Sequence, residues 1–269
     1  MQTIVFAGAG SMAEAMIQGW VKEGVVSPKN IHIMNKSDRQ KLNRIANAHG
    51  VQIVSDSRDV VKVADCIILA MKPKDVIKGM EALAPLLQEH TAVLSVVAGI
   101  SIATIENSLG KRPIARVMPN TSATIGMSAS GVSFNEQIDA SLKQEFMTML
   151  EAIGTVIEVE EDKLHAVTAV SGSGPAYLYY LVEAFEQAGV KYGLSREVVR
   201  SLAVQTIAGA AEMLKQSTEE PIELRRKVTS PGGTTEAGIK ALEENHFKDA
   251  IMACIHDAEA KSRELAQSE

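Results

Sequence analysis

The residues of this chain that could most clearly do chemistry form a glycine-rich turn, GAGSMA, at positions 8–13. An apolar run precedes the turn and a helix-forming stretch follows it, which is the context in which a GxGxxA pattern predicts dinucleotide binding. The first glycine permits a tight turn, the second allows close approach of a pyrophosphate, and the alanine allows the helix to pack against the strand. Free N–H groups at the positive end of the helix dipole would then face the pyrophosphate. We therefore predict cofactor contacts at Gly8, Ala9, Gly10, Ser11, Met12 and Ala13.

The residues that follow the second predicted strand favour NADP over NAD. An NAD site usually has Asp or Glu there, to accept hydrogen bonds from the adenosine ribose. This chain has Asn35, Lys36 and Ser37, with Arg39 close by. A carboxylate would repel a 2′-phosphate, whereas amide, hydroxyl and cationic groups can bind it. NAD stays open as an alternative, since the carboxylate of Asp38 is near and the two cations could simply be solvated charges at a helix start; Asp38 is also a natural N-cap.

Further strand ends are expected beside the glycine turn, because ligands of such folds lie outside the carboxyl ends of the strands. The residues there that we predict to contact the cofactor are Ala70, Met71, Lys72, Pro73 and Ala98. Pro73 is suited to the first position of the next helix. After the sixth strand, Asn120 and Thr121 could contact nicotinamide or substrate.

The order of predicted elements places the chain in the α/β class, with an N-terminal Rossmann-like, doubly wound parallel sheet followed by an all-helical part. Strands are predicted at residues 4–7, 31–34, 51–54, 66–70, 93–97 and 114–117, and two more, at 126–134 and 155–159 around a helix at 136–153, would extend the sheet. After Glu160 the remaining stretches favour helices, with Ser195 as an N-cap and with Gly189 and Gly193 in a turn. We predict a dinucleotide-binding domain at 1–160 and a helical domain for substrate binding and dimerisation at 161–269.

Two glycine clusters in the helical half, SGSGP at 171–175 and SPGGTT at 230–235, each precede a predicted helix. Turns of this kind leave N–H groups unpaired at a helix N-terminus, which suits a carboxylate. Capped turns between helices are the alternative for either cluster. If the helical half faces the cofactor, a small anionic substrate would bind at these turns.

Composition excludes several classes of protein. The net charge of −6 argues against nucleic-acid binding, and no run reaches the roughly 18 apolar residues of a membrane span. The start of the chain lacks the basic region of a signal peptide. Cys66 and Cys254 lie far apart in apolar settings, so we interpret them as reduced core residues of a cytoplasmic protein.

Other catalytic patterns are missing from the sequence. The six histidines form no close pair, the cysteines form no CxxC, and neither a GxSxG elbow nor a P-loop is present, so we expect no metal. We interpret His165 as a core or capping residue rather than a catalytic one. No lysine of the helical half has Asn four residues on, the pair that hydroxyacid dehydrogenases of this layout usually have.

The stretches SGSGPAY at 171–177 and VTSPGGTT at 228–235 resemble those of pyrroline-5-carboxylate reductases. The resemblance extends over nearly the whole chain, since GAGSMA, AMKP at 70–73 and RVMPNT at 116–121 follow in the family's order. It implies reduction of the C=N bond of 1-pyrroline-5-carboxylate to L-proline by NADPH or NADH. It also implies a homodimer through the C-terminal helices, with a decamer as a higher assembly.

The resemblance further implies roles for individual residues. Thr235 would hydrogen-bond the ring nitrogen of the substrate as the catalytic residue, and Met71, Lys72 and Ala98 would line the nicotinamide half. The implied substrate-binding residues are Ser173, Gly233, Thr234, Thr235 and Asn120. Ser57 stands where the family often has Asn beside the cofactor, so we include it among the cofactor contacts.

Two rival functions are open at this point. One is an NADP-linked reductase of β-hydroxyacids or ketopantoate-like substrates, against which the missing Lys-x-x-x-Asn pair argues. The other is a nucleotide-binding sensor without activity, which would not need the hydroxyl-rich SPGGTT turn.

Overall fold

Short apolar strands form the central sheet. In the computed structural model, which describes residues 1–54 and 57–267, eight strands within those residues form one sheet. They are β1 (Ile4–Ala7), β2 (Ile31–Met34), β3 (Gln52–Ile53), β4 (Cys66–Leu69), β5 (Ala92–Ser95), β6 (Ile114–Met118), β7 (Ser128–Phe134) and β8 (Gly154–Glu158). Every residue of β1, β4 and β5 is buried, as expected for strands with helices on both faces.

The strand order is β3-β2-β1-β4-β5-β6-β7-β8, so the order reverses between β1 and β4. Neighbouring strands are parallel except β6 and β7, which are antiparallel. The connection between those two strands is too short for the crossover that a parallel pair needs. The prediction of a doubly wound parallel sheet is confirmed, except for the antiparallel pair of β6 and β7. The reversal between β1 and β4 marks the crevice in which ligands of such sheets bind.

The first six helices cover the two faces of this sheet. They are α1 (Ser11–Lys22), α2 (Arg39–His49), α3 (Ser57–Lys62), α4 (Pro73–Leu83), α5 (Ile102–Leu109) and α6 (Ala140–Glu151). Successive side chains of β1 alternate between a core with α1, α2 and α6 and a core with α3, α4 and α5. Trp20 packs against Phe6 with ring centroids 5.3 Å apart, and its indole N–H donates to the Met149 carbonyl at 2.6 Å. These contacts fix α1 on the sheet.

After β8, the described elements are helical. They are α7 (Leu164–Val167), a π-helical segment (Thr168–Gly172), α8 (Gly174–Lys191), α9 (Arg196–Gln216), α10 (Pro221–Lys227), α11 (Thr234–Glu244) and α12 (Phe247–Gln267). The chain divides into two compact units: the first unit is Met1–Ser173 with Asp257–Glu269, and the second unit is Gly174–His256. The predicted division at residue 160 follows the change of element type rather than packing, and it stays a prediction.

The second unit is organised around the pair α8 and α9. The buried carboxylate of Glu186 in α8 pairs with the guanidinium of Arg200 in α9. Gly189 lies inside α8, where an added Cβ would be 2.5 Å from Cγ2 of Val199, so the prediction of a turn there is wrong. α8 continues through Gly189, and the missing side chain leaves room for Val199 of α9. The turn lies at Gly193, whose φ is +86°.

Several smaller predictions can be compared directly with the structure. Ser195 is an N-cap, as predicted, because its hydroxyl accepts from the Val198 N–H. Cys66 is fully buried, whereas Cys254 is only partly buried, so the prediction of core positions is confirmed for Cys66 alone. Among the described residues no helix is both long enough and apolar enough to cross a bilayer.

Candidate active site

The glycine turn follows β1 directly, and its first residue must be glycine. The φ of Gly8 is +111°, and an added Cβ would lie 2.5 Å from both C and O of Ala70. The N–H of Gly8 donates to the carbonyl of Met34, at the end of β2, at 3.0 Å. The turn is therefore pressed against the ends of the two strands that flank β1.

The second glycine of the turn opens α1. Gly10 is the N-cap and offers no side chain, and the nearest atom to an added Cβ would be the Ala70 oxygen at 3.8 Å. Within the described part of the chain, the amides of Ser11, Met12 and Ala13 have no protein acceptor. Ala13 is fully buried against the sheet, as predicted. Unpaired amides at a side-chain-free helix start suit a pyrophosphate.

The loop after β2 is shaped by the side chain of Asn35. Its Oδ1 accepts from the N–H groups of Ser37 at 2.9 Å and Asp38 at 2.8 Å, and its Nδ2 donates to the Asp38 carbonyl at 3.2 Å. The Asp38 carboxylate accepts from Lys41 N–H at 2.8 Å, which confirms it as the N-cap of α2. Asn35 thus builds the loop, and its predicted contact with the adenosine end stays untested.

The other polar side chains of the loop after β2 are of the kinds that bind an anion. Lys36, Ser37 and Arg39 are all exposed. Neither cation forms an ion pair with any residue in the described ranges. Lys36 and Arg39 therefore give the loop after β2 a positive charge, which suits an anion.

Sequence reasoning missed a charged contact that ties α1 to α2. Both oxygens of Glu14 accept from the Arg44 guanidinium at 2.6 Å. Arg44, and to a smaller extent His49, holds the pKa of the Glu14 carboxyl below its usual value. An acid in the first turn of α1 was the available signal, since such residues complement the helix dipole.

The residues after β4 lie against the glycine turn. The N–H of Ala70 donates to the Ala7 carbonyl at 3.0 Å, and Met71 N would be 2.7 Å from a Cβ on Gly8. Pro73 occupies the start of α4, as predicted, and Lys72 is its N-cap without a side-chain hydrogen bond. These residues therefore lie at the crevice, whereas the side chain of Ser57 lies outside the described part of the structure.

The loop after β5 contributes the exposed Ala98 to the same edge of the sheet. A carboxylate far along the chain fixes the end of this loop: Glu161 Oε1 accepts from the N–H of Ile102 at 2.7 Å and from Arg116 at 3.1 Å. The side chain of Arg116 is only 9% exposed. Glu161 lies at the predicted domain boundary, and its neighbours in the sequence give no sign of this role.

Asn120, a predicted substrate ligand, is buried and has structural partners. Its Oδ1 accepts from Ser122 N–H, its Nδ2 donates to the Ser171 carbonyl, and its N–H donates to Ser128 Oγ, all at 3.0 Å. The structure therefore assigns Asn120 to the link between the end of β6 and the π-helical segment. Substrate binding by this residue stays a prediction.

The SGSGP cluster is not an open turn: Ser171 and Gly172 end the π-helical segment, Ser173 caps it, and Gly174 begins α8. The N–H of Ser173 donates to the Thr168 carbonyl at 2.8 Å, and Gly172 would bring a Cβ within 3.2 Å of Met118 Cε. The expectation of free N–H groups at this cluster is therefore wrong for Ser173. Its predicted contact with substrate now depends on its hydroxyl alone.

The SPGGTT cluster, in the second unit, does form an open turn before a helix. Gly232 has a φ of +74° and Gly233 is the N-cap of α11, with no side-chain hydrogen bond. Thr234 and Thr235 are exposed. Glu236, which sequence reasoning missed, accepts from the Gly232 N–H at 2.8 Å, and the Gly233 N–H donates to the Ser230 carbonyl at 3.0 Å. The expectation of free N–H groups is therefore wrong for Gly232 and Gly233.

His165 has a structural partner within the first unit. Its Nδ1 lies 2.9 Å from Ser262 Oγ of α12. Burial, with Arg116 and Arg263 adding to it, holds the pKa of His165 below its ordinary value. No group of three or more His, Cys, Asp or Glu side chains within 1–54 and 57–267 is placed to hold a metal ion.

Comparison with known proteins bears on both halves of the chain. A family model described as pyrroline-5-carboxylate reductase dimerisation matches residues 161–265, and one described as NADP oxidoreductase, coenzyme F420-dependent, matches residues 3–99. Pyrroline-5-carboxylate reductase 2 of Bacillus subtilis (strain 168) is 42% identical over 99% of this chain and 96% of its own. The pyrroline-5-carboxylate reductase of Staphylococcus haemolyticus is 36% identical over 99% and 98%.

Solved structures that are similar to this chain include reductases of the same name. A pyrroline-5-carboxylate reductase from Coxiella burnetii has a TM-score of 0.92 at 35% identity and covers 98% of both chains. A pyrroline carboxylate reductase from Plasmodium falciparum, solved with NADP bound, has a TM-score of 0.86 at 28% identity, again over 98% of both chains.

Proposed function

The chain belongs to the pyrroline-5-carboxylate reductase family, and we propose that it forms L-proline from 1-pyrroline-5-carboxylate with NADPH as its preferred hydride donor. The reduction, the final step of proline biosynthesis, rests on one observation above all: the match to curated reductases extends over 99% of the chain. The preference for NADPH and the roles of single residues rest on the geometry of the site.

The glycine turn fits the pyrophosphate of a dinucleotide. Gly10 leaves open the space that a side chain would fill, and the unpaired amides at the start of α1 face it. Ala9, Ser11 and Met12 belong to the same turn. When bound, the reduced cofactor supplies the hydride. The edge formed by Ala70, Met71, Lys72, Pro73 and Ala98 would line its nicotinamide half.

The charges after β2 support NADPH over NADH. The position expected to hold a carboxylate for NAD is Asn35, and the nearest carboxylate, Asp38, is engaged by the start of α2. Lys36 and Arg39 are exposed and unpaired within the described residues, so they can neutralise a 2′-phosphate without breaking existing contacts. NADH remains a second, weaker donor under this proposal.

The substrate half is assigned to the turn before α11. Its exposed hydroxyls suit a carboxylate, and we assign Gly233, Thr234 and Thr235 to the substrate, with supporting contacts from Ser173 and Asn120. The Thr235 hydroxyl both donates and accepts, so it can hydrogen-bond the ring nitrogen in either protonation state. Hydride adds to the carbon of the C=N bond, and the nitrogen keeps the proton that it carries as an iminium.

Alignment of two reactants is the main task left to the protein. An iminium accepts hydride without a strong general acid, and correct positioning can supply roughly 7–11 kcal/mol of barrier reduction. The lack of an ionisable side chain at the SPGGTT turn, Glu236 excepted, is consistent with this chemistry.

The second unit supports a homodimer. It exposes large apolar side chains, among them Tyr180 in α8 at 74% and Tyr192, in the turn after α8, at 88%. Exposed apolar surface of this kind marks an interaction site, and the matching family model is described as dimerisation. Light scattering should give twice the chain mass for a dimer, or ten times that mass for the decamer that the resemblance allows. We place the enzyme in the cytoplasm because Cys66 and Cys254 are both unpaired thiols.

A single absorbance assay tests the proposed function. The purified enzyme is mixed with NADPH and 1-pyrroline-5-carboxylate, and in parallel with NADP and 3-hydroxyisobutyrate. We expect rapid loss of NADPH absorbance in the first mixture and no change in the second. Activity only in the second would identify a hydroxyacid dehydrogenase, and activity in neither would favour a nucleotide-binding sensor.

A further inference from the structure

The interior of α4 contains a glycine, Gly79, that lies against the side chain of Met71. Glycine lowers the stability of a helix interior relative to alanine. At Gly79, however, an added Cβ would lie 2.3 Å from Sδ of Met71 and 2.7 Å from its Cε. The missing side chain therefore makes room for the thioether.

A second glycine makes room for the main chain of the same methionine. The N of Met71 would lie 2.7 Å from a Cβ on Gly8, the first residue of the pyrophosphate turn. Ala70, just before it, is bonded to the end of β1. Met71 is thus enclosed on its backbone side by the glycine turn and on its side-chain side by α4. Its position at the crevice between β1 and β4 depends on two missing Cβ atoms.

We propose that Gly79 is a positioning residue for the cofactor: by seating the Met71 thioether against α4, it keeps the crevice free for the nicotinamide half of the dinucleotide. The inference rests on the proposed function, which places Met71 beside that half. It adds a residue that contacts neither cofactor nor substrate. A Cβ at residue 79 would displace the Met71 thioether from its place against α4, and under this proposal the displaced side chain turns toward the crevice.

The substitution Gly79→Ala tests this proposal. The folded chain should survive, because the clash is with the flexible end of a side chain and alanine favours the helix. We expect the KM for NADPH to rise on the order of tenfold, the size of effect produced by a modestly overpacked contact. The KM for 1-pyrroline-5-carboxylate, and kcat at saturating NADPH, should change far less, and Tm should not fall.

A second variant separates this effect from a general disturbance of α4. In the double variant Met71→Ala with Gly79→Ala the clashing atoms are gone, so the KM for NADPH should return to that of Met71→Ala alone. The control is Lys78→Ala, an exposed neighbour on the same helix, which should leave every parameter unchanged. An unchanged KM for NADPH in Gly79→Ala would overturn the proposal. So would a double variant whose KM for NADPH exceeds that of Met71→Ala by the same factor as Gly79→Ala exceeds wild type.

Direct titration of NADPH binding by fluorescence keeps this test distinct from that of the proposed function. If the wild-type chain binds NADPH but does not reduce 1-pyrroline-5-carboxylate, the proposed function fails, while the change in Kd between wild type and Gly79→Ala still decides the role of Gly79. A Kd equal in both proteins contradicts that role, whatever the reaction.

Discussion

Replacing Asn35 by Asp should reverse much of the preference for NADPH. The two hydrogen bonds that Oδ1 accepts from Ser37 and Asp38, at 2.9 and 2.8 Å, can be kept by a carboxylate. Only the donation from Nδ2 to the Asp38 carbonyl, at 3.2 Å, is lost. The loop should therefore keep its shape, at a cost of about 0.5–1.5 kcal/mol in stability. What changes is the charge facing the 2′-phosphate.

The size of the charge effect follows from the exposure of the loop. Two unit charges 4 Å apart repel by about 1 kcal/mol in water and by about 4 kcal/mol at a protein surface of lower effective dielectric. The residues after Asn35 are exposed, which favours the lower part of this range. We expect transition-state stabilisation with NADPH to fall by roughly 1–3 kcal/mol, which lowers kcat/KM for NADPH by about 5- to 150-fold. Because exposed charges are screened, the loss should shrink as salt rises.

The assay compares initial rates with NADPH and NADH in both proteins. The rate with NADH should be unchanged or higher, since a carboxylate can accept from the free ribose hydroxyls. The matched control is Asn30→Asp, which makes the same chemical change just before β2, at the opposite end of the strand. A parallel loss with both cofactors, or an equal effect of Asn30→Asp, would refute the role of charge at Asn35.

Three further substitutions test the roles of Thr235, Glu161 and His165. Thr235→Ala should lower kcat/KM by about 10- to 100-fold, roughly 1.4–2.7 kcal/mol, with Tm unchanged because the side chain is exposed; unchanged kinetics would remove Thr235 from the mechanism. Glu161→Ala should lower the free energy of unfolding in urea by about 1–3 kcal/mol, because it leaves the nearly buried Arg116 without its partner. The exposed neighbour Glu160→Ala should cost little, and equal losses would contradict this. The pKa of His165 is lowered in the folded chain, so the unfolded chain binds the proton more readily and stability is lost as the pH falls below about 6.5. His165→Gln should therefore make the free energy of unfolding less dependent on pH between about pH 7 and pH 5. An identical slope in both proteins would contradict this role.

The cofactor half was largely predictable because its determinants are local. A strand, a GxGxxA turn and a helix follow one another within residues 4–22, and each constrains its neighbour. Gly8 needs both its positive φ and its missing Cβ. Asp38 and Pro73 are also local features, since capping and a fixed φ depend on adjacent residues.

The ends of elements were less predictable, because pairing rather than composition ends a strand. The apolar run at residues 93–97 predicted a strand to Val97, yet β5 ends at Ser95. The N–H of Val97 instead bonds the Ser95 hydroxyl at 3.3 Å. In the same way, the serines and glycines at residues 171–174 are typical of turns, but the π-helical segment extends to Gly172 because the Thr168 carbonyl accepts from the Ser173 N–H.

Contacts between distant residues could not be predicted from one sequence. Glu161 lies 59 residues beyond Ile102, and only the fold brings its carboxylate to that amide. The pair of Met71 and Gly79 left a weak signal, since a glycine inside a helix suggests a close neighbour, but the identity of that neighbour needed the structure.

We propose that a dinucleotide at the glycine turn delivers hydride directly to the C=N carbon of 1-pyrroline-5-carboxylate. NADPH deuterated at the transferable position of the nicotinamide tests it most directly, with the product analysed by mass spectrometry and NMR. We expect L-proline with one deuterium on Cδ, the ring carbon that is bonded to nitrogen and does not bear the carboxylate. Proline without deuterium, or oxidation of NADPH without proline, would contradict it.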